Sequence, residues 1–188
     1  MNEEEQLREG IKSLGLVVTD EQIRKLLHFA DLVREGNRWV HLVSRRDLRR
    51  IVSKHILESL QIVPYLPEGA SCADIGSGAG FPGIPVKIIR PDIKMTLYER
   101  KKKKALFLIE MIKTLELSGI RVEAQSFPHQ QDMIDYLLIR NIDDRRMIKS
   151  LSNLGYFLIA KQHTCQLWKK TPLLRSESLF PLIGQHTS

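Results

Sequence analysis

The chain has 188 residues, 43% of them hydrophobic and 27% charged, which fits a folded globular domain and excludes a disordered or fibrous chain. Its formal charge is +7 and its pI about 9.5, a balance that points to a polyanionic partner. No apolar run is long enough to span a bilayer, the opening MNEEEQLREG is polar and acidic, and Cys72 and Cys165 lie far apart with no metal-like spacing, so the expectation is no membrane, no secretory leader, no metal, no disulfide framework, and a reducing cytoplasm.

Residues 3–14 place Leu7, Ile11 and Leu14 at helical spacing. A second helix starts at Thr19 or Asp20, either of which can cap it, and carries Ile23, Leu26, Leu27, Ala30 and Val33 on one stripe before Gly36-Asn37 stops it. A third is expected from Asp47 to Leu60, with Leu48, Ile51, Val52, Ile56 and Leu57 inward. Pro64 and Pro67-Glu-Gly69 then break the chain. Residues 1–63 therefore read as an N-terminal helical region, and residues 64–188 as a second unit of different pattern.

In that second unit, strands are expected at Cys72–Ile75, Met95–Tyr98, Ile120–Ala124, Tyr136–Ile139 and Tyr156–Ala160. Helices are expected at Pro82–Ile89, at Lys102–Leu117 with Leu106, Ile109, Ile112 and Leu115 or Leu117 buried, and around Asp144–Leu151. Strands alternating with helices at this spacing imply an α/β fold whose mostly parallel sheet, of about five strands, is covered on both faces. No element is expected beyond Lys161, where Pro172 and Pro181 interrupt the tail.

The first strand runs into Asp74-Ile-Gly-Ser-Gly-Ala-Gly-Phe-Pro-Gly83. Glycines at this place let backbone amides and a helix N-terminus approach a ligand. Gly78, Gly80 and Gly83 match the dinucleotide spacing G-x-G-x-x-G, with Glu99 where a ribose-binding acid belongs. Asp74, Gly76, Gly78 and Gly80 equally suit S-adenosylmethionine. Asp74 favours the second ligand, because a carboxylate would repel a pyrophosphate but attract a sulfonium and an ammonium. Glu99 offers the two acceptor oxygens that a ribose diol needs.

From Asn37 to Leu108 the chain resembles the bacterial RsmG (GidB) family. His41-Leu-Val-Ser44 resembles its NLTS turn, Lys54-His-Ile-Leu-Glu-Ser59 its KHilDS helix, and Asp74–Pro85 its glycine loop throughout. Leu97-Tyr-Glu99, Lys103-Lys104 and Phe107-Leu108 are similar to its LLDS…KR..FL. The second half departs further: Arg140 stands in its SRA and Lys161 in its LALKG, but Ser126-Phe127-Pro128 replaces a charged R-x-E stretch, and the family's last two strands are not recognisable.

The resemblance implies a Rossmann-like S-adenosylmethionine methyltransferase fold that places a methyl on N7 of a guanine in 16S ribosomal RNA, as a monomer acting on that RNA or the small ribosomal subunit. It implies cofactor contacts from Asp74, Gly76, Gly78, Gly80, Phe81 as a cover, Glu99 at the ribose, Phe127 beside the adenine, and Arg140. RNA phosphates would fall to Arg45, Arg46, Arg49, Arg50, Lys54, Lys103, Lys104 and Lys161, which belong to two cationic runs, or, for Lys161, stand alone. Guanine N7 carries a free lone pair, so no general base is expected and no catalytic residue is assigned; Arg140 and His55 position the reactants. The alternatives are a catalytically impaired RNA- or ribosome-binding relative, a small-molecule methyltransferase, which the basic helical region disfavours, and a nicotinamide oxidoreductase, which Asp74 disfavours.

Overall fold

The computed structural model describes residues 2–127 and 134–140 in full and the backbone of residues 156–161 and 164–169. Two helices open the chain, α1 (Glu3–Ser13) and α2 (Asp20–Gly36). Each begins in a capping box, Asn2 with Glu5 and Thr19 with Gln22, so the first amides of both helices are satisfied by side chains. The Gln22 amide does two jobs. Its oxygen accepts from Thr19 N at 2.9 Å, and its nitrogen donates to the carbonyls of Ile88 and Ile89 at 3.0 Å each. One residue thus closes the start of α2 and the end of the helix that finishes at Ile89.

The single third helix expected from Asp47 to Leu60 is instead three short pieces: α3 (Arg45–Leu48), a π-helical turn (Ile51–Ile56) and α4 (Leu57–Leu60). Hydrophobic spacing reports an apolar face but not a one-residue insertion in the hydrogen-bond ladder. The wide turn buries Ile51, Val52, His55 and Ile56, and α4 buries Glu58 and Ser59.

After a short 3₁₀ turn at Val63–Tyr65 the sheet begins: β1 (Ser71–Ile75), α5 (Gly83–Ile89), β2 (Lys94–Tyr98), α6 (Lys102–Thr114), β3 (Ile120–Glu123), β4 (Tyr136–Arg140), β5 (Tyr156–Lys161) and β6 (Thr164–Lys169). The strand order is β3-β2-β1-β4-β5-β6. The first five strands are parallel; β6 pairs antiparallel with β5, Lys161 opposite Thr164. Among the described residues six strands stand where about five were expected. The missed strand, Thr-Cys-Gln-Leu-Trp-Lys, is joined to β5 through Gln162-His163, which lacks the Asn-Gly or Asp-Gly signature of a two-residue hairpin. The helix expected at Asp144–Leu151 and the proline-interrupted tail lie outside the described residues.

The core is continuous from the N-terminal helices to the sheet: Leu7, Phe29 and Val33 belong to the same buried cluster as Ile84, Leu97 and Leu108. In α6 the inward stripe is Ala105, Leu108, Met111 and then Leu115, whereas Leu106 and Ile109, expected inside, are 66% and 49% exposed. Both stripes have helical spacing, one residue out of phase. The small Ala105 side chain permits close packing, and the neighbouring elements decide which stripe turns in.

Candidate functional site

The carboxyl ends of β1, β2 and β4 converge where strand order reverses beside β1, the place where open α/β sheets bind ligands. Gly76, Gly78 and Gly80 all adopt left-handed backbone, with φ of 71°, 57° and 93°. A Cβ on Gly76 would meet nothing within 4 Å, and one on Gly78 only the Gly76 carbonyl at 3.7 Å. The front of the loop is therefore open backbone. Gly80 and Gly83 are constrained from behind: a Cβ on Gly83 would sit 2.8 Å from Asp74 Oδ2.

Asp74, at the carboxyl end of β1, is 1% exposed. Its Oδ2 accepts from Gly83 N, the first residue of α5, at 3.0 Å. Its Oδ1 is buried without a hydrogen-bond partner in the structure. Burial pushes the carboxyl up to about 7, although the Gly83 amide pulls the other way. The residue thus fixes the glycine loop on the helix from below and keeps one oxygen uncommitted.

Glu99 follows β2. Its Oε2 accepts from Gly78 N at 3.0 Å and its Oε1 from Lys101 N at 2.8 Å. Each oxygen keeps a second lone pair, so the carboxylate is held rigid by two amides while still able to accept from a diol. Phe127, beyond β3, meets Tyr98 edge-to-face at 5.0 Å.

Phe81, expected as a cover for the cofactor, is packed inward on the side facing the N-terminal helices. It is 7% exposed and joined to Pro82 by a cis bond. Its ring meets Phe29 at 5.2 Å, stacks on His55 at 5.0 Å and lies 5.6 Å from the Arg140 guanidinium. A ring so packed forms an inner wall beside the glycine loop.

Arg140 ends β4 and turns toward the N-terminal helices. It donates to Glu58 Oε2 at 2.5 Å and, more weakly, to the carbonyls of His55 at 3.3 Å and Lys54 at 3.4 Å. Those carbonyls belong to the π-helical turn, whose widened ladder leaves them open to side-chain donors; Ser59 Oγ also donates to the His55 carbonyl at 2.5 Å. Glu58 was not singled out by sequence. Its spacing from Lys54 and His55 put it on the same helical face, the one available signal. His55 is buried, its Nε2 3.9 Å from Asp47 Oδ1 and unbonded. Burial first, then the Arg140 charge, push it down to about 4, so the imidazole is neutral near pH 7.

The basic residues divide. Arg45, Arg46, Arg49 and Lys103 are exposed, Arg50 and Lys104 half-buried, and none has an ion-pair partner among the described residues. Lys54 differs: it is bound to Asp47 at 2.8 Å, which holds the Asp47 carboxyl below its usual range. Lys161 is placed at the carboxyl end of β5 by its backbone. The Cys72 thiol, which burial pushes up to about 12, is no nucleophile at neutral pH.

A family model described as rRNA small subunit methyltransferase G (GidB) matches residues 22–173. The chain belongs to this family. Similar curated relatives are the ribosomal RNA small subunit methyltransferase G of Nitrosomonas europaea, 33% identical over 87% of this chain and 73% of the relative; that of Neisseria meningitidis, 36% identical over 65% and 59%; and that of Pelotomaculum thermopropionicum, 40% identical over 60% and 48%. The chain thus spans between about half and three quarters of the length of these methyltransferase G relatives. A structure described as a protein-L-isoaspartate O-methyltransferase from Plasmodium falciparum with S-adenosyl-L-homocysteine superposes at a TM-score of 0.52, 16% identical, covering 90% of this chain and 89% of the other. A coclaurine N-methyltransferase with S-adenosylhomocysteine superposes at 0.50, 11% identical, covering 82% and 56%. At such identities the likeness is one of fold: a Rossmann-like methyltransferase sheet. Among the described residues, no helix is long and apolar enough to cross a membrane.

Proposed function

We propose that the chain is a monomeric, cytoplasmic S-adenosylmethionine-dependent methyltransferase that modifies N7 of a guanine in 16S ribosomal RNA, free or within the small subunit. Residues 64–188 act as the methyltransferase unit and the helical residues 1–63 as the part that meets RNA. The observation that carries the reading is the Glu99 carboxylate, anchored by Gly78 and Lys101 amides beside open backbone at Gly76 and Gly78. Family membership and fold support it.

The residues fit the cofactor: a side-chain-free cradle, a rigid diol acceptor and an uncommitted buried carboxylate oxygen. When bound, S-adenosylmethionine supplies an electrophilic methyl on a sulfonium. Glu99 holds the ribose, Phe127 borders the adenine, Gly76 and Gly78 present open backbone, and Gly80 carries the loop's left-handed turn against Ile84 and Leu108. Asp74 keeps the loop on α5 and adds negative charge near a cationic ligand. Arg140, committed to Glu58, sets the wall formed by Phe81 and His55 and acts on position rather than on phosphate. Guanine N7 needs no deprotonation, so neutral His55 and the absence of an assigned base suit a site that works by alignment. Arg45, Arg46, Arg49, Arg50, Lys103 and Lys104 supply phosphate contacts; Lys161 extends them.

Calorimetric titration with S-adenosylmethionine tests this. We expect micromolar affinity, lost in Asp74→Ala and weakened at least tenfold in Glu99→Ala, and methyl transfer to 16S RNA yielding 7-methylguanosine by mass spectrometry. Affinity should rise as pH increases through about 7, because a cationic ligand favours ionised Asp74, and the slope should flatten in Asp74→Asn. Absence of binding by folded protein would overturn the enzyme reading and favour a catalytically impaired RNA-binding relative, a reading supported by Ser126-Phe127 where the family has charges.

A further inference from the structure

Trp39 is 82% exposed. A tryptophan side chain is large and mostly apolar, so holding it in water is unfavourable unless a partner covers it. The exposure here is built rather than incidental. The Asn37 side-chain oxygen accepts from Leu42 N at 2.8 Å and Val43 N at 2.9 Å, closing the loop on itself. Trp39 N and Val40 N donate to the Gly36 carbonyl at 3.0 and 2.9 Å. Leu42 and Val43 are buried anchors. The loop is tied at both ends and its middle stands outward.

The same loop walls a hollow of about 650 Å³. Arg34, Arg38, Arg45 and Arg49 line it, with Asn37 and Glu3. Glu3 does not cancel them: it pairs with Arg34, which also holds Asp31 at 2.7 Å. Arg38, Arg45 and Arg49 are then left with no acidic partner among the described residues. Phe107, one turn beyond Lys104 on α6, lies against Gly36 at the base of the loop, which brings the second cationic run to the same side.

We propose that this loop and hollow are a contact for single-stranded RNA, in which Trp39 stacks on an unpaired base while Arg38, Arg45 and Arg49 take the neighbouring phosphates. The proposal rests on the RNA-methyltransferase reading for the identity of the polyanion, and adds Trp39 and Arg38 to it. Alternation of a π-face with phosphates is the chemistry of a single strand; a duplex hides its bases in the stack, and an acidic peptide offers charge without a planar partner. Charge complementarity selects the phosphate and the outstanding indole selects the unstacked base.

The test uses the full-length chain and three probes: an unstructured RNA dodecamer, a blunt RNA duplex and a polyglutamate peptide. Indole fluorescence is compared between the parent and Trp39→Phe, so the difference reports Trp39 alone. We expect the dodecamer to quench that difference signal and to bind several-fold tighter than the duplex. Trp39→Ala should weaken dodecamer binding about tenfold, and Trp39→Phe should recover most of it. Arg45→Ala with Arg49→Ala should reduce the slope of log affinity against log salt by about two. S-adenosylmethionine titration should be unchanged in all of these variants. Normal dodecamer affinity in Trp39→Ala, equal binding of duplex, or quenching by polyglutamate in place of RNA would each overturn the proposal. Loss of cofactor binding in the parent would instead remove the enzyme reading, leaving the stacking result to be judged by itself.

Discussion

At the scale of single residues, His55 is where burial and charge meet most sharply. Its imidazole stacks on Phe81 and feels the charges of Arg140, Lys54 and Arg50, which lower its proton affinity, against Asp47, which raises it. Its proton affinity is depressed to about 4. Below the ordinary value of about 6.5 the unfolded chain gains a proton that the folded chain refuses, so this residue's contribution to stability is present above 6.5 and is lost as pH falls toward 4. Asp74 runs the other way: its raised affinity, about 7, contributes stability at low pH that is lost as pH rises through 7. The parent's own pH profile therefore mixes two opposed trends. The informative quantity is the difference between parent and His55→Gln in urea unfolding. We expect that difference to move against the parent by about 2 kcal/mol between pH 7 and pH 5, at roughly 1.4 kcal/mol per unit. A pH-independent difference would mean that the imidazole binds its proton equally well in the folded and unfolded chains, and would contradict the burial argument.

At the scale of elements, the glycine loop separates two demands that the sequence writes identically. Gly76 needs left-handed backbone and fronts open space; Gly83 has ordinary helical backbone and is wedged between Asp74 and Leu97. Gly76→Ala should then cost about 1 kcal/mol of stability for its backbone conformation yet abolish S-adenosylmethionine binding, because its methyl enters the cradle. Gly83→Ala should cost about 1–3 kcal/mol by overpacking and lower affinity mainly through misplacement of Asp74. Thermal unfolding and calorimetry on both variants give the comparison. Equal losses of stability and affinity in the two would show that the loop is a purely structural turn. The π-helical turn belongs to the same scale. It was read as plain helix because Ile51, Val52 and Ile56 fall on an apolar face in either ladder, and only the three-dimensional course exposes the Lys54 and His55 carbonyls to Arg140.

At the scale of the molecule, the Arg140–Glu58 pair and Gln22 fasten the helical region to the sheet, at opposite ends of α5 and β4. Removing one member of a buried ion pair strands the other charge, at about 3–5 kcal/mol, whereas replacing both by apolar groups is close to neutral. Arg140→Met should be strongly destabilising in denaturant unfolding, and Arg140→Met with Glu58→Leu should recover most of the loss. A double variant no more stable than the single one would mean that Arg140 is held chiefly by Phe81 and the carbonyls.

The sequence by itself determined the alternation of strands and helices, the glycine loop, and the acids at the ends of the first two strands. These are local patterns whose spacing carries their meaning: period two against period 3.6, four glycines after a strand, a carboxylate some twenty residues on. It also determined the family, because the loop's continuation through Phe-Pro-Gly-Ile-Pro is unusually specific. Tertiary structure decided what depends on neighbours far along the chain. It turned Phe81 inward onto Phe29 and His55, chose Leu108 over Leu106 for the core, spent Arg140 on Glu58 and Lys54 on Asp47, added β6, and left Trp39 outside. A side chain's partner is fixed by packing and desolvation between elements, and neither is written in the spacing of the residues that make them.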